Sequence, residues 1–197
     1  MNKKNLKNYW IKPLIIILGI FFFSSVKADV KINASKQISN FLNTIKIFVS
    51  ETNHTKKEKI SNDILNMIDL EFMSRATVGK YWKTANDKDK KIFKTNLFKK
   101  FINFIDLHLE DFKEINFEEK SVKLRGTKLV YVIGSIDTKK IKNLDITWKL
   151  SSKKNKILDI EIQKISLIKT QRLEMKELLR KNKDNFSKFV DLYFNKN

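Results

Sequence analysis

Catalysis near neutral pH recruits histidine, a thiolate, or carboxylates whose environments push their pKa values apart. This chain has two histidines, His54 and His108, far apart in sequence, and no cysteine. Thiol chemistry, disulfides and thiolate metal sites are therefore excluded. No HExxH, CxxC, GxSxG, Walker loop or GxGxxG pattern occurs, and four glycines with one proline supply no loop to cradle a phosphate. The paired acids Glu118-Glu119 and Asp87/Asp89 stand among lysines, the pattern of a solvated face. His108 falls near the end of a long helical pattern, where a cation suits the helix dipole, and reads as structural. The residues give no grounds for an enzyme, a cofactor or a metal site, although carboxylates distant in sequence keep a catalytic reading open.

The elements that would position any site begin after a leader. Met1 to Pro13 carries Lys3, Lys4, Lys7 and Lys12 without an acid, and the apolar run Leu14 to Phe23 follows. Ser24-Ser25-Val26-Lys27-Ala28 then supplies a small-residue cleavage site. This three-part pattern predicts a secretory signal peptide over 1–28, cleaved to free a single domain over 29–197. The run is half the roughly 20 apolar residues a membrane-spanning helix needs. Removing the leader's five lysines takes the net charge from +19 to +14. A basic exported protein is drawn to anionic lipid surfaces and acidic partner faces, and an exported address argues against nucleic acid.

Ile38, Phe41, Leu42, Ile45, Phe48 and Val49 recur at helical steps and predict a helix over about 31–51. Thr55-Lys-Lys-Glu58 matches a capping box for the next helix, and Asp69 is placed to cap a short one, Leu70 to Val78, stopped by Gly79. Thr84-Ala-Asn-Asp87 opens the longest expected helix, about 85–110, whose apolar face is wide and aromatic. A face that wide must be covered on more than one side.

From about 112 the period changes to two. A weak strand over 114–124 precedes alternating runs at Leu129–Ile133, Leu144–Leu150 and Leu158–Ile162, joined by short polar connections. Helices over about 169–181 and 184–194, the second capped by Asp184, close the chain. Helices, four strands and helices predict an α+β fold, a twisted four-stranded antiparallel sheet packed with a helical subdomain.

Two stretches are more specific. Asp69-Leu-Glu-Phe-Met-Ser-Arg-Ala-Thr-Val-Gly-Lys-Tyr-Trp82, followed by the aromatic long helix, resembles a block of the MlaC family, also called toluene-tolerance proteins. Ile160-Glu-Ile-Gln-Lys-Ile-Ser-Leu-Ile-Lys-Thr-Gln-Arg172 is similar to the same family's ending. The sequence departs from the family at Lys164, where Gly is common, at Gln171, where Tyr is usual, and at Met175, near a usual Phe. The resemblance covers essentially all of 29–197.

It implies a periplasmic phospholipid-binding component of a lipid-transport system that maintains outer-membrane asymmetry. The sheet and helical subdomain would enclose an apolar cavity for acyl chains. The implied partners are a phospholipid, an inner-membrane Mla-type ABC transporter complex and an outer-membrane lipoprotein–porin complex, met by a monomer docking transiently near membranes. Cavity walls are expected from Met73, Val78, Tyr81 and Trp82 in the first block, and from Phe93, Leu97, Phe101 and Phe104 on the long helix. Tyr131, Ile133, Ile146, Trp148, Ile160 and Ile162 are the expected wall positions on the sheet. Arg75 is a headgroup candidate, with an ion pair as its plainer role. Two other classes stand beside the carrier: a non-lipid envelope adaptor with a solid core, and a periplasmic enzyme on a similar scaffold.

Overall fold

A computed structural model describes residues 11–194, with side chains described from Ala28 onward apart from Leu192 and Phe194. The start of the expected leader, Met1 to Trp10, and the side chains of its apolar run lie outside the described residues. The chain runs through α1 (Ile11–Ser50), α2 (His54–Met67), α3 (Leu70–Val78), α4 (Tyr81–Thr84), α5 (Asp87–Leu107) and α6 (Leu109–Lys113). It continues through β1 (Asn116–Arg125), β2 (Leu129–Asp137), β3 (Leu144–Ser151), β4 (Ile157–Ile162) and β5 (Ile165–Ser166), then α7 (Leu167–Lys181) and α8 (Phe186–Phe194). The longest helix is α1, not α5. Among the described residues no helix is long and apolar enough to cross a membrane.

The sheet is an antiparallel meander in the order β1-β2-β3-β4-β5, so the fold is α+β with five strands where four were expected. The fifth is a two-residue strand returned from β4 through Gln163 and Lys164, at φ of 49° and 67°. Such a two-residue hairpin needs left-handed backbone at both turn positions, which favours glycine. The backbone requirement explains why Gly is common where this chain has Lys164.

Helix starts are set by side-chain caps, several offset from the sequence expectation. Asn53, not Thr55, caps α2 through the Lys56 amide, and Asn86, not Thr84, caps α5 through the Asp89 amide. Asp69 caps α3 as expected, its Oδ1 accepting the Phe72 amide at 3.0 Å. Asn185 rather than Asp184 accepts the Lys188 amide at the start of α8, while Asp184 accepts the Tyr81 hydroxyl at 2.6 Å. Gly79 ends α3 at φ 61° and ψ −122°, a combination open to glycine alone.

Two apolar clusters hold these layers together. In the first, α1 lays Ala34, Ile38, Phe41, Ile45 and Phe48 across the sheet face built by Val130, Val132, Ile146, Trp148, Leu150 and Ile157. In the second, Val78, Trp82, Phe93, Met175, Leu179, Phe186 and Phe189 bring α3, α4, α5, α7 and α8 together. Helix α5 belongs to both: Phe93 and Leu97 enter the helical cluster, while Phe98, Phe101, Ile102 and Ile105 enter the sheet cluster. That double duty accounts for its wide apolar face.

Candidate functional site

The sheet's inner face gathers some of the expected site residues, Met73, Phe101, Ile146, Trp148 and Ile160. Strand register opposes Val132 to Trp148 and Trp148 to Ile160, so side chains from β2, β3 and β4 form one row across the face. Trp148 sits at its centre, 3 % exposed. The Phe41 ring of α1 meets it edge-on at 5.6 Å, and Phe117 of β1 does so at 6.3 Å.

Phe117 reaches Trp148 because Gly134 leaves room. A Cβ on Gly134 would stand 2.1 Å from the Glu118 carbonyl oxygen and 2.5 Å from the Phe117 ring. A register shift between Glu119 and Ser121 interrupts the β1–β2 pairing here.

One polar atom stands out in this apolar setting. The Trp148 indole N–H is buried without an acceptor among the described residues. A buried donor left unpaired costs about 1–3 kcal/mol, so buried tryptophans ordinarily find a partner.

The remaining expected wall residues divide into groups. Ile146, Trp148 and Ile160 lie on the inner face, with Met73 and Phe101 packed against the same cluster, partly buried. Val78, Trp82 and Phe93, with half-buried Tyr81 and Leu97, lie in the helical cluster instead. Tyr131 pairs with Lys149 and Ile133 with Thr147, which turns both away from Trp148 onto the outer face. Ile162 is half-buried at the end of β4. Phe104 is 52 % exposed, its ring over His108 at 4.4 Å. The structure thus sets the expected residues around two clusters and one outer surface, with α5 between the clusters.

An open cleft of about 480 Å³ lies between α1, α2 and the β3–β4 turn. It is lined by Gln37, Thr44, Asp63, Asn66, Met67, Lys154, Asn155 and Lys156, none of them an expected wall residue.

The outer face mixes apolar side chains of β2 with charged ones of β3 and β4. Lys149 bonds Asp159 at 3.0 Å and also Glu161, with its ammonium 5.8 Å from the Tyr131 ring centre. Burial disfavours the charged ammonium, but the Glu161 and Asp159 contacts outweigh it and raise the Lys149 pKa.

The two sequence blocks meet in space. The Arg172 guanidinium, from the second block, lies so close to Gly79 of the first that a Cβ there would be 3.0 Å from it. Asp69, at the start of the first block, ties helix to sheet. Its amide donates to the Ile157 carbonyl at 2.9 Å, and its carboxylate takes Lys154 at 3.0 Å. Burial raises the Asp69 pKa, but the Phe72 amide and Lys154 more than offset this, and the net shift is downward.

Arg75 is exposed and, among the described residues, shows no ion pair; it lies 6.0 Å from the Phe72 ring centre. The Nδ1 of His108 lies 2.9 Å from the Phe104 carbonyl at the end of α5.

Sequence reasoning nominated no wall residue from α1, although Phe41 and Phe48 carry much of the seam. Their helical spacing was visible, and what was missing was the sheet face they cover. Phe117 and Gly134 had no detectable signal, because a β-bulge is not marked by alternation.

No curated protein matches the sequence. Among solved structures, the chain is similar to a phospholipid-binding protein from Ralstonia solanacearum, determined in complex with a phospholipid. The TM-score is 0.69 at 14 % identity, covering 83 % of this chain and 93 % of that one, a likeness of fold. The family model described as MlaC protein matches residues 33–192, which takes in α1 beyond its first half, the whole sheet and both sequence blocks. On that match, the chain belongs to the MlaC family.

Proposed function

We propose that this protein is a periplasmic phospholipid carrier that buries acyl chains between the inner sheet face and the helices. The observation that carries the reading is the family match over 33–192, on a fold shared with a protein crystallised with a phospholipid. Physics supplies the need. Burying acyl chain is worth about 0.8 kcal/mol per CH₂, so drawing two chains into water costs on the order of 20 kcal/mol. A protein interior that replaces the bilayer removes most of that barrier.

Acyl chains would run along the seam where α1 lies on the sheet and α5 borders it, exchanging contacts with Phe41, Phe101, Phe117 and Trp148. The unpaired indole N–H of Trp148 supplies one donor in this apolar row, suited to a lipid ester carbonyl. Cleavage after Ala28 frees the carrier from the membrane. It then shuttles, as a monomer, between an outer-membrane lipoprotein–porin complex and an inner-membrane ABC transporter complex. Neither nucleic acid nor catalysis has a part in this reading.

A second reading rests on packing. Phe93, Ile146 and Trp148 are each at most 3 % exposed, as in an envelope adaptor with a solid core. One experiment separates the two. The full chain is expressed in a Gram-negative host, purified from periplasm without detergent, and its extracted lipid analysed by mass spectrometry. Stoichiometric phospholipid is expected. Lipid-free protein that also takes no lipid from vesicles would leave the adaptor reading standing.

A further inference from the structure

The meander brings the β1–β2 and β3–β4 turns side by side at one end of the sheet. They are tied together: Ser152 donates its amide to the Lys128 carbonyl at 2.9 Å and its hydroxyl to the Thr127 carbonyl at 2.7 Å. This tip carries Lys123, Arg125, Lys128, Lys153, Lys154 and Lys156, all exposed except Lys156, which is intermediate. Between Lys120 and Leu158 the chain's only acids are Asp137 and Asp145, and the register puts both at the far end of the sheet. Helix α1 lends its Asn33 carbonyl to Asn155 at 3.1 Å, and from Val30 to Ser50 it contains no acid. The acids set against the tip are Asp69, held by Lys154 at 3.0 Å, Asp63 across the cleft, Asp29 one helical turn before Asn33, and Asp159, which shares the cross-strand row of Lys123 and is held by Lys149 at 3.0 Å.

The far end of the sheet is different. There Lys120, Lys140 and Lys142 pair with Asp145, Asp111 and Asp137. Positive charge is balanced at one end and left in excess at the other.

We propose that the turn tip docks this protein on an anionic bilayer surface. Protein–protein interface centres are depleted in lysine and anchored by exposed aromatics. The tip is lysine-rich, and the single large exposed aromatic side chain among the described residues, Phe104, lies on α5 beside His108. An array of hydrated ammonium groups suits a headgroup layer, where each cation near the surface adds a similar increment of attraction. The tip's charge is the same whatever fills the apolar seam.

The test compares vesicles of phosphatidylcholine alone with vesicles that also contain about a quarter phosphatidylglycerol. The protein is expected to sediment with the anionic vesicles only and to be released by salt. Replacing Lys123, Lys128 and Lys153 together by Gln should weaken that binding about 100-fold. A control changing exposed Lys88, Lys91 and Lys176 to Gln has equal net charge and should bind within a few-fold of the wild type. Arginine at the three tip positions should retain binding, and all variants should melt like the parent. Equal losses from both triple-Gln variants would overturn the proposal, since bulk charge would then suffice. So would failure to distinguish the two vesicle types, or binding confined to an acidic protein surface. Co-purified lipid measured on the same variants reads the carrier function separately. Lipid retained with vesicle binding lost is the expected pattern, and an empty interior with vesicle binding intact would count against the carrier alone.

Discussion

The two apolar clusters are built on different plans. The helical one is a chain of rings, Trp82 to Phe93 at 6.3 Å, Phe93 to Phe186 at 5.8 Å, Phe186 to Phe189 at 5.8 Å and Phe189 to Tyr193 at 5.4 Å. Five helices share it, and the Gly79–Arg172 contact locks its flank. The sheet cluster is a layer, the α1 face laid on one sheet face and joined by Ile64 of α2 and Ile105 of α5, with Trp148 holding an unpaired donor within it. A ring chain closed by five helices has no seam along which to part. A layered contact does, because a helix can lift from a sheet without breaking either element's own hydrogen bonds. The difference separates a part that holds shape from a part suited to admit a guest.

Phe93→Ala gives the largest effect that can break this comparison. It removes a ring with 0 % exposure from the ring chain and should cost about 3–5 kcal/mol of folding stability. Urea unfolding measures the loss. Bound lipid per folded molecule should stay unchanged, and a selective fall in lipid would move the guest site into the helical cluster.

Gly134→Ala comes next. The added methyl meets the Glu118 carbonyl backbone, which no rotamer change relieves, so a loss of about 1–3 kcal/mol is expected by thermal melting. Because it disturbs Phe117 over Trp148, it should also lower bound lipid.

Asp69→Ala should cost about 1–2 kcal/mol by removing the cap of α3. The pH dependence has a definite sign. With the Asp69 pKa lowered from its ordinary 3.8, its contribution is present above that value and is lost as pH falls through the lower folded value. Acid titration of Asp69→Asn should therefore show a shallower decline below about pH 4 than the parent.

The smallest effect is the sharpest. Trp148→Asp would set a carboxylate between Phe41 and Phe117 and unfold the layer, so it cannot separate binding from folding. Trp148→Phe deletes the unpaired N–H while keeping a ring, and stability should fall by no more than about 1.5 kcal/mol, the cavity left by the smaller ring being offset in part by loss of the unpaired donor. Bound phospholipid, measured by mass spectrometry, should fall. Unchanged lipid would make Trp148 ordinary core.

Much of the fold was legible because strands β3 and β4 alternate cleanly and Asp69 stands alone as a cap. Strand β2 was not, since both its faces are apolar: Val130 and Val132 point inward while Leu129, Tyr131 and Ile133 do not. Only the register with β3, which sets Lys149 beside Tyr131, decides between them, and that information is not local. The caps at Asn53, Asn86 and Asn185 were displaced for a simpler reason. Each lies within two residues of another good capping side chain, and φ/ψ rather than residue type makes the choice. The joining of Gly79 to Arg172 had a sequence signal in both blocks but none that linked them.

The order of elements carries a consequence for how the molecule is made. Each strand of the meander pairs with its sequence neighbour, so the sheet can assemble from local contacts. Helix α1 cannot finish that way. A growing chain delivers it first, whereas the strands that cover Ile38, Phe41, Ile45 and Phe48 lie between residues 116 and 162. Its sheet-facing residues must wait uncovered through more than half of synthesis, at the roughly 5–20 residues per second of translation. Until β4 arrives, this helix is the segment most in need of a chaperone.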